Sequence, residues 1–154
     1  MSRIMEHVDV DVPVSVAYDQ WTQFESWPRF MEGVERVVQL DPTTLDWTAT
    51  IAGRTKHWRA RIAEQRPAEL ITWHSLDGAR NDGMVRFEPL SGESCRVSLD
   101  LDVAPEGVIE ATGDALGFVS RRVTGDLDRF KEFVETRGQA TGAWRARVDD
   151  SEVK

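Results

Sequence analysis

The feature that most constrains the fold is a stretch of alternation over residues 33–103, in which apolar residues take every second position of successive short segments. A period of two places neighbouring side chains on opposite faces of a β-strand. Turn sequences such as Asp-Pro-Thr at 41–43 and Pro-Ala-Glu at 67–69 separate the segments at close intervals. This pattern predicts an antiparallel meander of six strands, with one apolar face and one charged face.

The residues before this stretch predict one more strand and two short helices. Residues 3–12 alternate, with Glu6 as the one ionisable residue on the apolar side. Pro13 suits the first turn of a helix, and Ala17, Tyr18 and Trp21 recur at helical spacing after it. A second brief helix, with Pro28 in its first turn, is predicted to follow.

The residues after the meander predict one long amphipathic helix that ends near Gly138. Its apolar stripe consists of Ile109, Leu116, Val119, Val123, Leu127, Phe130 and Val134. Glycine in a helix interior costs about 1 kcal/mol relative to alanine, so Gly113 and Gly117 mark a bend or a close approach. Residues 139–154 show little periodicity and are predicted to form a loosely ordered tail after a domain of residues 1–138.

Together these elements predict an α+β fold in which a curved, seven-stranded antiparallel sheet wraps around the long C-terminal helix. A curved sheet and a straight helix meet more easily at their ends than at their middles, which favours a cavity between them, shaped by Gly113 and Gly117. The alternative is that aromatic side chains fill the gap. The residues predicted to line the cavity are Trp47, Trp58, Trp73, Phe87, Leu99, Leu116, Val119 and Val123.

Composition excludes several other classes of protein. The chain has 154 residues, the length of one domain, and 27 acidic against 19 basic residues, for a net charge of −8. This charge argues against nucleic acid or an anionic membrane as the partner. The single cysteine, Cys95, cannot form an internal disulfide, and no Cys/His cluster suggests a metal. With neither a signal peptide nor an integral membrane segment apparent, we expect a cytoplasmic protein without a cofactor.

Four stretches of the sequence resemble a known family. They are residues 12–18 with Trp21, then 24–31, 85–89 and 125–133. Their sequences and layout are similar to the START-like helix-grip (SRPBCC) superfamily, in its polyketide cyclase/dehydrase and coenzyme Q-binding branch, over residues 3–137. The resemblance implies a single START-like domain and a polyketide-, quinone- or lipid-like ligand. Because the family includes aromatase/cyclases, lipid carriers and quinone chaperones, it does not choose among these activities.

The candidates for catalysis are few. Cyclisation or dehydration needs an acid/base and a group that stabilises an enolate. By alternation His7, His57 and His74 fall on the charged outer face, whereas Glu6 and Glu64 fall on the apolar side and are the weak catalytic candidates. Cys95, on an apolar strand face, is predicted to be an inert buried thiol.

Three functional hypotheses follow. The first is a module that binds a hydrophobic or aromatic small molecule in the cavity, and the outward histidines favour it. The second is a polyketide cyclase/dehydrase of the aromatase type that uses the same cavity. The third is a protein–protein interaction module, based on the acidic outer face and the short helices around Trp27 and Met31. The oligomeric state cannot be inferred from the sequence.

Overall fold

The computed structural model describes residues 2–31, 34–51, 54–76, 80–104, 113–144, 147–149 and 152–153. The strands are β1 (Ser2–Val10), β2 (Val34–Asp41), β3 (Thr44–Ile51), β4 (Arg54–Arg66), β5 (Leu70–Ser75), β6 (Arg80–Pro89), β7 (Cys95–Ala104), β8 (Val148–Asp149) and β9 (Glu152–Val153). The helices are α1 (Val14–Trp21), a short 3-10 helix (Phe24–Arg29) and α2 (Gly113–Arg137).

The first seven strands form one antiparallel sheet in the order β1-β7-β6-β5-β4-β3-β2. Strands β2 to β6 each pair with the next strand in the sequence, and β1 lies beside β7, with which it pairs. The predicted α+β fold, a seven-stranded antiparallel sheet with a long C-terminal helix, is confirmed. The short β8 and β9, which were not predicted, add to the sheet beside β4.

One face of the sheet, which we call the inner face, carries the alternate apolar residues predicted from the sequence. On β7 these include Cys95, Val97 and Leu99, which pair with Val10, Val8 and Glu6 of β1. Helix α2 covers the inner face with its buried stripe of Val123, Leu127, Phe130 and Val134. The helix ends at Arg137, and Gly138 follows it with a φ of +71°, which suits glycine. The Gly138 N–H donates to the Val134 carbonyl at 2.9 Å.

Helix α1 and the 3-10 helix fill one half of the space between the sheet and α2. The Tyr18 ring meets Phe87 of β6 edge-on at 5.3 Å, and Trp21 meets Phe130 of α2 at 5.1 Å. From the end of the 3-10 helix, Phe30 also contacts Phe130, at 5.3 Å. These edge-to-face contacts fix both short helices against the C-terminal half of α2.

Polar contacts tie the same half of α2 to the end of β1. Lys131 donates to Glu135 at 2.5 Å and to the Asp9 carbonyl at 2.9 Å, and the Asp11 N–H donates to Glu135 at 2.7 Å. Partial burial by itself raises the pKa of Glu135, but the hydrogen bonds from Lys131 and Asp11 outweigh it and hold this pKa below its ordinary value. The C-terminal half of α2 is therefore anchored through both its apolar and its polar faces.

A register shift in β4 changes which side chains face inward near its end. Between Ile62 and Glu64 the pairing with β5 slips, so that Glu64 lies opposite Thr72 and Gln65 opposite Ile71. Because Ile71 faces inward, Gln65 does as well, and it is fully buried. The expected inward register of Glu64 is therefore wrong: a one-residue shift moves it to the outer face, where it pairs with Arg66 at 3.3 Å.

Residues after Gly138 make hydrogen bonds with the rest of the fold in the described part of the chain, and the predicted division at residue 138 stays a prediction. Gln20 of α1 accepts from the Thr141 N–H at 2.8 Å, and the Trp144 N–H donates to the Thr22 hydroxyl at 3.1 Å. Gln65 donates to the Trp144 carbonyl at 3.3 Å. Strand β8 then pairs with β4 at Gln65, beyond the last β3 partner of β4, and so covers a strand edge that would otherwise lie open.

Candidate functional site

On β7 and α2, the inward side chains are less buried at one end of the inner face than at the other. Along β7, Cys95 and Val97 have no accessible surface, whereas Leu99 and Leu101 retain 9% and 8%. Along α2, Phe130 has none and Val123 retains 7%. Because β7 is a central strand between β1 and β6, the accessible surface of its inward side chains can only face the space beneath α2. The half of the inner face opposite the earlier turns of α2 is therefore the less tightly closed half.

A polar pair lies in this less closed half. The Ser120 hydroxyl of α2 donates to Glu6 Oε1 of β1 at 3.2 Å. Both side chains are half-buried, and Glu6 lies between the buried Ile4 and Val8 on its own strand and opposite Leu99 on β7. A carboxylate on an apolar wall loses hydration, so it requires hydrogen-bond donors nearby. We call Glu6, Trp73, Leu99, Leu101, Ser120 and Val123 the inner site.

Close approach at Gly83 shapes the floor of the inner site. Gly83 of β6 lies opposite Trp73 of β5 on one side and opposite Leu101 of β7 on the other. A Cβ atom built there would lie 2.6 Å from Trp73 Cζ2 and 2.8 Å from Leu101 Cδ2. The absent side chain thus lets the Trp73 indole lie against the sheet. Gly83 itself lies within β6.

The structure brings most of the predicted lining residues to the inner face. Trp73 and Leu99 are in the inner site, and Val123 of α2 belongs to the same buried apolar cluster. Phe87 packs instead against Tyr18 and Trp21, in the tightly closed half. The side chains of Leu116 and Val119 lie outside the described residues; Gly113 and Gly117 lie in the first turns of α2, and their predicted role in shaping a cavity stays a prediction.

Two further predicted lining residues form a stack rather than standing apart. Trp47 and Trp58 are cross-strand partners, with ring planes 8° apart and centroids 5.6 Å apart. Trp27 of the 3-10 helix meets Trp47 edge-on at 5.0 Å. Trp47 Nε1 is buried and has no hydrogen-bond partner within the described part of the chain. This aromatic cluster forms the β3–β4 wall of the interior, and Trp27 belongs to the core rather than to an exposed docking surface.

The three histidines lie on the outer face, as alternation predicts. His7, His57 and His74 are exposed, and the His57 side chain, 57% exposed, lies 2.5 Å from Asp46. Glu64 is on that face as well, for the reason given above. In contrast, burial raises the pKa of the inward Cys95 to about 11, which leaves its thiol protonated and unreactive at neutral pH.

One inward cation, Lys56, is not among the residues predicted from the sequence. Lys56 of β4 pairs with the buried Ala49 and is two residues from the inward Trp58. It is half-buried, whereas Thr55 and His57 on either side of it are exposed. The period of two that placed Trp58 and Ala60 inward already indicates Lys56, two positions earlier. Among the strand residues with described side chains, Glu6 and Lys56 are the ionisable ones that face inward.

Two classes of site receive no support from the described residues. They contain no group of three or more His, Cys, Asp or Glu side chains placed to hold a metal ion. Of the helices searched over the same residues, none is both long and apolar enough to cross a membrane.

Comparisons with known proteins agree with this architecture. Residues 10–132 match the family model described as polyketide cyclase/dehydrase and lipid transport. An uncharacterised 17.2 kDa protein of Streptomyces lincolnensis is 46% identical over 149 residues, covering 96% of this chain and 99% of that protein.

Solved structures show the same fold at low sequence identity. The Zhui aromatase/cyclase from Streptomyces sp. R1128 superposes with a TM-score of 0.72 at 18% identity, covering 93% of this chain and 99% of that one. A START superfamily protein from Mycobacterium smegmatis gives 0.68 at 19% identity, covering 88% and 95%. At these identities the similarity concerns the fold alone.

Proposed function

The chain belongs to the polyketide cyclase/dehydrase and lipid transport family, and from this premise we propose that it binds a hydrophobic or aromatic small molecule in a cavity between the sheet and α2. The observation that carries the proposal is the accessible surface that Leu99, Leu101 and Val123 retain on the inner side of a closed fold. Apolar side chains that keep such surface gain free energy when a ligand covers them, at about 25 cal/mol per Å².

The chemistry of the surrounding residues supports an apolar ligand rather than a charged one. The inner site offers the Trp73 indole, two leucines and a valine, and its polar atoms come from Glu6 and Ser120. Ligand sites of this kind are mostly apolar, with a few polar groups that fix orientation. Polyketide-, quinone- and lipid-like molecules all fit that description.

The experiment that tests this proposal fills the site from α2. We propose Val123→Phe, with Thr124→Phe as the matched control, because Thr124 is the next residue and is exposed. Tryptophan fluorescence is followed during titration with naphthoquinones, aromatic polyketide analogues and fatty acids. We expect micromolar or tighter binding of at least one compound, at least tenfold weaker binding by Val123→Phe, and little change for Thr124→Phe.

Two results would contradict the proposal. One is that no compound in the panel changes the fluorescence of the wild-type protein. The other is that Val123→Phe, shown to be folded by circular dichroism, binds as tightly as Thr124→Phe.

A second candidate function, cyclisation or dehydration of a polyketide-like substrate, is favoured by the inward Glu6 and Lys56. A carboxylate can accept a proton and an ammonium can stabilise an enolate. Because three strands separate β4 from β1, the two groups would act at different points of an extended poly-β-keto chain. Incubation with a poly-β-keto surrogate, with mass-spectrometric detection of the loss of water, tests this function. We expect Glu6→Gln to abolish turnover, whereas Glu64→Gln, on the outer face, retains it. Equal turnover by the two variants would rule out Glu6 as the acid/base.

A further inference from the structure

The Glu6 carboxylate has hydrogen-bonding capacity that the described residues do not fill. A carboxylate offers two oxygens with about four acceptor sites. Within the described part of the chain, the Ser120 hydroxyl is the one donor that Glu6 engages, and its 3.2 Å distance to Oε1 is long for a hydroxyl–carboxylate bond. The Glu6 side chain as a whole is half-buried.

The surroundings of Glu6 contribute little that could satisfy these acceptor sites. Its neighbours on the inner face, Ile4, Val8 and Leu99, are apolar. Lys56, the other inward ionisable residue described, is on β4, and β7, β6 and β5 separate that strand from β1. A partly desolvated carboxylate with unfilled acceptor sites favours a ligand that brings a donor with it.

We infer that the ligand carries a hydroxyl group, of the phenolic type in an aromatic ligand, that donates to Glu6. This inference rests on the proposed function and narrows it. A carboxylate only accepts hydrogen bonds, so it discriminates against quinones and fatty-acid carboxylates, whose polar oxygens are acceptors as well. Among the three ligand classes considered above, it selects hydroxylated aromatic molecules of the polyketide type.

The test compares two probes that differ in one donor: 2-naphthol and 2-methoxynaphthalene. Calorimetric titration gives the ratio of the ether's dissociation constant to that of the naphthol. Because a hydrogen bond to a charged acceptor is among the stronger ones, we expect this ratio to be about tenfold or more in the wild-type protein. In Glu6→Gln the ratio should fall to about one to three, and in the control Glu64→Gln it should keep its wild-type value.

A second variant separates recognition from a purely structural role. Ser120→Ala removes the internal donor and leaves the carboxylate in place, so the naphthol preference should be retained or increased. If Glu6 served only to tie β1 to α2, Glu6→Gln and Ser120→Ala would both lower the thermal midpoint and leave the ratio unchanged. That result would overturn the inference.

The outcomes also distinguish this inference from the proposed function. If both probes bind the wild-type protein equally well, the ligand site stands and the role of Glu6 in recognition is refuted. If neither probe binds, and no compound of the larger panel does, the proposed function fails and the inference fails with it.

Discussion

Replacing Gly83 by alanine tests how tightly the floor of the inner site is built. The new Cβ would lie 2.6 Å from Trp73 Cζ2 and 2.8 Å from Leu101 Cδ2. Carbon atoms in contact are about 3.5–4.0 Å apart, so the indole must move by roughly 1 Å. Since the sheet blocks movement in the other direction, the ring moves toward α2 and narrows the inner site.

The magnitude follows from two opposing effects. Overpacking a well-packed region costs about 1–3 kcal/mol. Replacing glycine also restricts the unfolded chain, which stabilises the folded protein by about 0.4–1 kcal/mol. We therefore expect Gly83→Ala to lower the free energy of unfolding by about 1–2 kcal/mol, and to weaken ligand binding because the site is smaller.

Urea unfolding measures this effect, and the chain supplies a matched control. A Cβ at Gly92 meets nothing within 4 Å, so Gly92→Ala should be neutral or slightly stabilising. In a Trp73→Phe background, where the indole is gone, the cost of Gly83→Ala should fall by about half or more, as residues in contact are not additive. If Gly83→Ala is as stable as Gly92→Ala, or if its cost is the same in both backgrounds, the described contact does not constrain the site.

Three other predictions concern the rest of the fold. Burial raises the pKa of Cys95 to about 11, so at pH 8 we expect a thiol reagent to react with it in denaturant and to leave the native protein unmodified; fast native labelling would contradict this. Because the pKa of Glu135 is lowered in the folded state, its ionised carboxylate adds to the free energy of unfolding at neutral pH. This stabilisation is lost as the pH falls below the ordinary pKa of 4.5 and through the lower pKa of the folded state. Glu135→Gln should therefore lower the free energy of unfolding, measured with a chemical denaturant, by about 0.5–1 kcal/mol at pH 7. The decrease should be smaller at pH 3. An equal decrease at both pH values would refute the stabilising role of the Glu135 carboxylate. Gln20→Leu leaves the Thr141 N–H without its acceptor, so it should lower the free energy of unfolding by about 1–3 kcal/mol and speed proteolysis after Gly138. Unchanged proteolysis would show that this hydrogen bond does not hold the residues after Gly138 in place.

The sequence predicts this fold well where the strands are regular. Alternation places Leu99 inward and His57 outward, and the helical stripe identifies Val123, because each rule depends only on local geometry. The same alternation indicates Lys56, although it stands at the start of its segment, before the first apolar residue. The faces of these strand residues follow from the period of two alone.

Two features of the structure cannot be predicted from the periodicity of the sequence. Glu64 changes face because one residue at a register shift reverses everything after it, and no turn residue in the sequence marks the shift. The tail docks mainly through backbone groups at Thr141 and Trp144, which bind side chains from α1 and β4. Backbone contacts leave no apolar period in the sequence, so a segment that looks loose can still be ordered.

The position of the inner site follows from the way α2 is attached. Its C-terminal half is held by the contacts of Phe130 with Trp21 and Phe30, and by Lys131 and Glu135 at the end of β1. A straight helix anchored at one end of a curved sheet must diverge from the sheet toward its other end, and apolar packing must then weaken along it. The fall in burial from Phe130 to Val123 agrees with that divergence. A polar contact such as Ser120–Glu6 is least costly where the interior is no longer fully closed to water or a ligand, which is where it occurs.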